Sequence, residues 1–188
     1  MEECKMKLYY IYGTMNSAKS LNLLAKAHQF EETGSKVLLL KPSFDTRTKN
    51  TIKTRVGLEK PCVVIGENQN IAECISGHLD CDAIFVDECQ FLSVEQIEQL
   101  WILSRSLNKR VFCYGLKTDF NNNLFDASAR LLVLADKVEE LKSKCQFCGG
   151  KATTHKKVGG DMTKNEVGDI NSDSSVRYES VCQKCYRL

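Results

Sequence analysis

Short apolar runs alternate with amphipathic segments along the first three quarters of this chain. In residues 7–41 an apolar run breaks at Gly13, a helical stripe continues to Gly34, and a second apolar run follows. Continuous apolar runs of this length are typical of parallel strands that are covered on both faces, and Gly34 lies where a helix often ends. Residues 7–41 are therefore predicted to form a strand–helix–strand unit of an α/β fold.

The same alternation continues to residue 142 and predicts the remaining elements. Strands are expected over residues 62–65, 83–86, 110–116 and 137–142, and helices over 70–75, from Ser93 onward, and over 128–135. The helix at Ser93 has a defined start, because Ser93 and Gln96 form a capping box. Residues 48–61 are predicted to be mobile. Strands that alternate with helices indicate a mostly parallel sheet flanked by helices.

The segment between the first apolar run and the first helix follows the phosphate-loop pattern G-x-x-x-x-G-K-[ST] with one departure. Its residues are Gly13, Thr14, Met15, Asn16, Ser17, Ala18, Lys19 and Ser20. In such a loop backbone N–H groups surround a phosphate, the lysine reaches the β and γ oxygens, and the hydroxyl binds Mg²⁺. Ala18 replaces the second glycine, at a position that requires a backbone conformation which alanine adopts less readily. A tight turn without a phosphate is the alternative.

Two acidic residues, Asp87 and Glu88, follow the apolar run 83–86. An acidic residue at the end of a buried strand is what nucleotide hydrolases and kinases use to hold Mg²⁺ beside the phosphate loop, and Asp87 suits that role. A second carboxylate is what phosphoryl transfer to a hydroxyl needs as a general base, and Glu88 suits that role. The pair favours a kinase, and the alternative is that both residues only cap the strand.

Polar segments also follow two other predicted strands, over residues 43–50 and 117–123. Ligands bind at the carboxyl edge of parallel sheets, so Asp45 and Arg47 are candidates to face phosphates. The alternative is that Asp45 and Arg47 only belong to a solvated loop. Phe120 is predicted to belong either to the core or to a base pocket.

The length and charge of the chain restrict the kinds of binding partner that are expected. The chain has 188 residues, enough for one core and a small appended module, and its 26 Lys+Arg against 24 Asp+Glu give a formal charge of +2. Without a long basic run, neither a nucleic-acid nor a membrane surface is indicated, and a small ligand is expected. No export signal or membrane span is visible, so a cytoplasmic location is expected, where cysteines serve as thiols or metal ligands.

Four of the ten cysteines form two C-x-x-C pairs, Cys145 with Cys148 and Cys182 with Cys185. Four thiolates complete a tetrahedral Zn²⁺ shell with no open position, so the metal is expected to be structural. The residues between the pairs then form a tethered loop, and its stretch 159–175 is a candidate substrate loop. A zinc ribbon that contacts nucleic acid is the alternative. His155 is expected to be a loop or strand side chain rather than a ligand.

The phosphate loop, the segment Asp87-Glu88-x-Gln90-Phe91 and the terminal four-cysteine ribbon together resemble the type II thymidine kinases, the family that includes cellular thymidine kinase. Further segments match that family: Asp45-Thr46-Arg47, Gly115-Leu116-x-x-x-Phe120 and Tyr178-Glu-Ser-Val-Cys182-x-x-Cys185. The resemblance covers nearly the whole chain. It implies a P-loop NTPase-like α/β domain over residues 1–142 and a zinc-ribbon domain over residues 143–188 that carries a substrate lasso loop.

The resemblance also implies transfer of the γ-phosphoryl group of ATP to the 5′-hydroxyl of thymidine or deoxyuridine, for nucleotide salvage. Glu88 would be the general base, Lys19 and Arg47 would contact phosphates, and Ser20 with Asp87 would hold Mg²⁺. The remaining residues implied at the nucleotide are Gly13, Thr14, Met15, Asn16, Ser17, Ala18, Asp45, Thr46 and Gln90. Those implied around the nucleoside are Met15, Phe91, Leu116, Phe120 and Tyr178. A homotetramer and feedback inhibition by thymidine triphosphate are implied in the same way.

The loop between the cysteine pairs departs from the family. The usual Ile-Gly-Gly before the tyrosine is absent, and residues 170–178 read Ile-Asn-Ser-Asp-Ser-Ser-Val-Arg-Tyr instead, which leaves the base preference open. Two other functions remain as alternatives. One is a P-loop ATPase with a zinc ribbon that acts on nucleic acid, and the other is a nucleotide-binding protein without nucleoside kinase activity.

Overall fold

The computed structural model describes residues 7–46, 48–159 and 177–187, and these form twelve strands and five α-helices. The strands are β1 (Lys7–Gly13), β2 (Val37–Pro42), β3 (Thr51–Lys53), β4 (Glu59–Pro61), β5 (Val63–Ile65), β6 (Ala83–Val86), β7 (Arg110–Gly115), β8 (Lys137–Leu141), β9 (Ser143–Lys144), β10 (Lys151–Ala152), β11 (Thr154–Val158) and β12 (Arg177–Val181). The helices are α1 (Lys19–Glu32), α2 (Ile71–Cys74), α3 (Val94–Ser106), α4 (Asp126–Leu134) and α5 (Gln183–Tyr186).

Six strands form one sheet in the order β5-β2-β6-β7-β1-β8, and every neighbouring pair in it is parallel. The predicted parallel α/β sheet is therefore confirmed. Its carboxyl edge brings together the ends of β1, β6 and β7, which the chain visits far apart in sequence. The phosphate loop, Asp87 and Leu116 follow these three strands directly and so lie at one edge.

Helices cover both faces of the sheet, as the continuous apolar runs require. On one face α1 packs against an aromatic layer; this core consists of Ile11, Leu23, Leu24, Ala27, Leu39, Ile52, Ala83, Phe85, Phe112 and Tyr114. On the other face α3 and α4 bury Ile97, Leu100, Leu103, Ala127 and Leu131. The predicted capping box at Ser93 is present, with both of its hydrogen bonds to Gln96 formed.

The segment 48–61, predicted to be mobile, contains an antiparallel hairpin formed by β3 and β4. Thr54 closes its turn, because the Thr54 N–H donates to the Leu58 carbonyl at 2.8 Å and the Leu58 N–H donates to the Thr54 hydroxyl at 3.0 Å. Gly57 has a φ of 88° in that turn, which favours glycine. Ile52 anchors the hairpin in the core. Local turn bonds and one buried side chain therefore order a segment whose pattern is mainly polar.

The C-terminal part of the chain, called the ribbon below, consists of β9 to β12 and α5. It holds two antiparallel pairs, β9 with β10 and β11 with β12, and a small core around Cys145, Val181 and Cys185. Residues 160–176, which include most of the predicted substrate loop, lie outside the described residues. Among the described residues, no helix combines the length and apolar character needed to cross a membrane.

Candidate active site

The phosphate loop leaves β1 at Gly13 and enters α1 at Lys19. A Cβ atom at Gly13 would lie 2.3 Å from the Ser17 Oγ and 2.9 Å from the Leu141 carbonyl oxygen, so the close approach of these segments requires glycine. Ala18 has φ 58° and ψ 32°, the left-handed conformation that the motif's second glycine would normally adopt. Lys19 is 8% exposed, and its Nζ donates to the Thr14 carbonyl at 2.9 Å. The loop is folded back over its own lysine.

Ser20 and Asp87 join the start of α1 to the end of β6. The Ser20 hydroxyl donates to the Asp87 Oδ2 at 2.7 Å, and Asp87 is buried. A hydroxyl oxygen and a carboxylate, held together beside a phosphate loop, are oxygen ligands of the kind that Mg²⁺ prefers. The residues present therefore fit a magnesium ion.

Glu88 follows Asp87 in a left-handed backbone conformation with φ 50°, so its side chain leaves the chain in a different direction from that of Asp87. Glu88 is buried, and its Oε2 accepts a hydrogen bond from Gln90 Nε2 at 2.7 Å. Gln90 in turn accepts from the Leu116 N–H at 2.9 Å. One glutamine side chain thus fixes the Glu88 carboxylate relative to the end of β7.

A cavity of about 220 Å³ lies between the phosphate loop and the β3–β4 hairpin. It brings Glu88 and Leu116 to the same space as the loop residues Met15, Asn16, Ser17, Ala18, Lys19 and Ser20. The hairpin supplies Lys53, Thr54, Arg55 and Val56 to the opposite wall. No motif in the sequence predicted these four residues, and the basic residues Lys53 and Arg55 close to Gly57 were the available indication of a turn that faces phosphates.

The other predicted nucleoside residues form two aromatic groups outside the lining of this cavity. The ring centroids of Phe120 and Tyr178 lie 6.2 Å apart, and those of Phe91 and Phe44 lie 4.6 Å apart. Phe120, Phe91 and Phe44 follow β7, β6 and β2, so they lie at the carboxyl edge of the sheet, and Tyr178 of β12 contacts Phe120 there.

The predicted phosphate-facing segment after β2 is held by Lys41. The Asp45 carboxylate lies 3.7 Å from the Lys41 Nζ, and Thr46 is exposed. Neither residue lines the cavity of about 220 Å³. Arg47 lies outside the described residues.

The four cysteines predicted to bind metal lie together. Their sulfur atoms are all within 4.8 Å of one another, and the sulfurs of Cys148 and Cys182 are 3.7 Å apart. Sulfurs that surround a tetrahedral zinc ion at ~2.3 Å are separated by about 3.8 Å. The Cys185 N–H donates to the Cys182 sulfur and lowers the pKa of that thiol, which favours the thiolate that binds metal. The cluster could therefore hold a tetrahedral ion.

His155 belongs to β11, as the expectation of a strand or loop side chain required, and is not part of the four-cysteine cluster. It is 4% exposed and packs edge-on against the Tyr178 ring, at a centroid distance of 6.1 Å. Burial lowers its pKa to about 4, and the positive charge of Lys19 acts in the same direction while Asp119 opposes it. His155 is therefore a neutral imidazole near pH 7.

A parallel sheet whose first strand runs into such a loop, with the following helix beginning Lys-Ser and the serine bonded to an acidic strand end, is the arrangement of P-loop phosphotransfer proteins. A family model described as thymidine kinase matches residues 6–186. Thymidine kinases from Shewanella oneidensis and Streptococcus agalactiae are 39% and 37% identical to this chain, each over 96% of both sequences. The chain belongs to the thymidine kinase family and is thus a kinase, which confirms the resemblance.

Proposed function

We propose that the protein transfers the γ-phosphoryl group of ATP to the 5′-hydroxyl of thymidine or deoxyuridine. The observation that carries this proposal is the convergence of three groups at one sheet edge: the phosphate loop, the Ser20–Asp87 pair at 2.7 Å, and Glu88 in the wall of the same cavity. These are the parts that phosphoryl transfer to a hydroxyl needs, since it depends on positioning, charge stabilisation and a base. Family membership supports the choice of a nucleoside as acceptor.

In this proposal the backbone N–H groups of residues 13–20 bind the phosphates of ATP. Lys19 would exchange its present bond to the Thr14 carbonyl for bonds to phosphate oxygens. Ser20 and Asp87 would hold Mg²⁺, which neutralises the negative charge that develops on the phosphates. The Lys53 and Arg55 side chains on the hairpin would approach the phosphates from the other wall.

Glu88 is proposed to accept the proton of the 5′-hydroxyl as that oxygen attacks the γ-phosphorus. Gln90 holds one carboxylate oxygen in place, so the carboxylate does not have to be oriented during the reaction. Both residues are buried, which limits access of water to the base. Because water would compete with the nucleoside as acceptor, we expect little ATP hydrolysis in the absence of nucleoside.

The nucleoside is proposed to lie near Met15, Phe91, Leu116, Phe120 and Tyr178. The Leu116 carbonyl is fixed from within the core, because the hydroxyls of Tyr10 and Ser128 both donate to it, at 3.0 Å and 2.6 Å. The end of β7 is thus a rigid wall against which a base can be placed. Asp45, Thr46 and Arg47 are proposed to act on the phosphates, as the family match of this segment implies.

We further propose a structural zinc ion on Cys145, Cys148, Cys182 and Cys185, in a ribbon domain over residues 143–188 that follows a kinase domain over residues 1–142. The closed four-sulfur set supports this metal and its structural role. A cytoplasmic homotetramer is proposed from the family resemblance, and light scattering of the purified protein would measure the assembly.

The test is phosphate transfer from ATP and Mg²⁺ to thymidine, deoxyuridine, deoxycytidine and uridine, measured on the wild type and on Glu88→Gln. Transfer to thymidine and deoxyuridine is expected, with a loss of about 10²–10⁴-fold in Glu88→Gln at unchanged nucleotide affinity. Glu67→Gln, an exposed glutamate changed in the same way, is the matched control. Nucleoside-independent ATP hydrolysis, or equal activity of the two variants, would contradict the proposal.

A further inference from the structure

Three hydroxyl groups connect the ribbon to the phosphate loop. The Thr14 Oγ1 lies 2.5 Å from the Ser143 Oγ, and it donates to the Ser180 Oγ at 3.1 Å. The Ser180 hydroxyl donates to the Met15 carbonyl. Each hydroxyl carries one proton, so the three bonds form without conflict when Ser143 donates to Thr14, Thr14 to Ser180, and Ser180 to Met15. The chain of donors ends on a backbone carbonyl of the phosphate loop.

Thr14 connects this series of hydrogen bonds to the active site. The Thr14 carbonyl accepts the hydrogen bond from Lys19, and the Thr14 hydroxyl is hydrogen-bonded to Ser180 of the ribbon. Thr14 and Ser180 are both buried, so water does not compete strongly for these bonds. The orientation of the two peptide groups at Thr14 and Met15 is thus set partly from outside the loop.

Both ribbon serines stand two residues before a cysteine of the metal cluster: Ser143 before Cys145, and Ser180 before Cys182. The two segments are also joined to each other, because the Gln146 N–H donates to the Ser180 carbonyl at 2.9 Å. A metal ion bound by the four sulfurs would therefore hold the two serines at a fixed separation.

We propose that Ser143 and Ser180 are positioning residues that hold the phosphate loop in its nucleotide-binding conformation, and that they make nucleotide affinity depend on the four-cysteine centre. This inference rests on the proposed function, in which the loop binds the phosphates of ATP. A loop of backbone N–H groups binds phosphate well only when its peptide groups point inward, and the bond from Ser180 to the Met15 carbonyl restricts the rotation of that peptide group.

The first test is the affinity for ATP and ADP without nucleoside, measured by calorimetry on Ser180→Ala, Thr14→Val and the double variant. Removing either partner is expected to weaken binding about 5- to 30-fold. The double variant should lose little more than one single variant, because both substitutions break the same chain. Ser143→Ala provides an independent second variant, and Ser106→Ala, at an exposed site on α3, is the control with unchanged affinity.

The second test removes the metal with a chelator and repeats the nucleotide titration, with far-UV circular dichroism to confirm that the sheet remains folded. Removal of the metal is expected to weaken nucleotide binding by the wild type by a factor similar to that of the serine substitutions. The double variant Ser143→Ala/Ser180→Ala, which already lacks both serine hydroxyls, should lose little further affinity when the metal is removed. If Ser180→Ala and Ser143→Ala bind nucleotide as tightly as the wild type does, the inference is wrong, while the proposed function is unaffected. Wild type that binds no nucleotide would contradict the proposed function and the inference together.

Discussion

Ala18 carries a backbone conformation that its side chain disfavours. Its φ of 58° and ψ of 32° lie in the left-handed region, where an L-residue with a Cβ atom is less stable by roughly 1–2 kcal/mol than in the right-handed one. Asn16 shares this region with a φ of 64°, but asparagine adopts it more readily. The loop therefore keeps its shape at the cost of strain at one alanine.

Ala18→Gly is expected to raise the free energy of unfolding by about 0.5–1 kcal/mol. Glycine removes the backbone strain in the folded state, and the greater conformational entropy that it gives the unfolded chain offsets only part of that gain. Ala25→Gly is the matched control, since Ala25 is exposed inside α1, where the same change should lower stability by about 1 kcal/mol. Urea unfolding of both variants measures the two effects. Changes of the same sign at both positions would show that the strain at Ala18 is absent.

Lys41 organises the connection that follows β2. It is fully buried, and its three N–H donors go to the carbonyls of Asp45 and Thr48 and to the Thr48 hydroxyl. The Asp45 carboxylate, 3.7 Å away, supplies an opposite charge. A buried ammonium is stable only when its donors and its charge are compensated, as they are here. Lys41 thus ties together both ends of the segment that contains the family-like Asp45-Thr46-Arg47.

Lys41→Met is expected to lower the free energy of unfolding by about 2–4 kcal/mol, because it removes the donor to the carbonyls of Asp45 and Thr48 and the positive charge beside the Asp45 carboxylate. Lys36→Met tests the same change at an exposed ion pair, with Asp80, where a much smaller effect is expected because solvent screens the two charges. Urea titrations of both variants give the comparison. Equal effects would mean that the Lys41 contacts contribute no more than a surface pair.

Local patterns explain which elements the sequence could predict. The strand over residues 83–86 and the capping box at Ser93 were predicted correctly, because burial of a continuous apolar run and a cap depend on neighbouring residues. The β3–β4 hairpin was missed, since its strands are three residues long and its turn depends on bonds between Thr54 and Leu58.

Contacts over long sequence separations could not be predicted in the same way. The bonds from Thr14 to Ser143 and Ser180 join positions 129 and 166 residues apart, and nothing in the serine-containing segments indicates a partner in the phosphate loop. The motifs located the loop, the acidic strand end and the cysteine cluster, whereas the way the ribbon contacts the loop follows only from the folded chain. Roles assigned to Glu88, Lys19 and the nucleoside residues stay predictions until activity is measured.

At the scale of the whole molecule, His155 lies at the contact between the ribbon and the parallel-sheet part of the chain. Tyr178 of the ribbon packs against its ring, and the charged groups that act on it are Lys19 and Asp119. Its pKa of about 4 in the folded protein compares with ~6.5 in an unfolded chain. Below pH 6.5 the unfolded chain therefore binds a proton that the folded protein excludes.

This difference makes the contact acid-sensitive. Stability from the neutral imidazole is fully present above pH 6.5 and is lost as the pH falls toward 4, by about 3 kcal/mol in total. Protonation would place a second positive charge near Lys19 and would put a charge into a buried site. Acid should therefore first weaken the contact that holds the ribbon against the phosphate loop.

His155→Asn removes the titrating group, so its free energy of unfolding should rise relative to wild type by about 2–3 kcal/mol between pH 7 and pH 4.5. Urea unfolding at several pH values measures this difference, and protonation of the four cysteines cancels because it affects both proteins equally. His78→Asn, the same substitution at an exposed histidine, is the matched control. If the free energy of unfolding of His155→Asn ran parallel to that of wild type over this pH range, burial would not exclude the proton from His155 and the acid sensitivity argued here would be wrong.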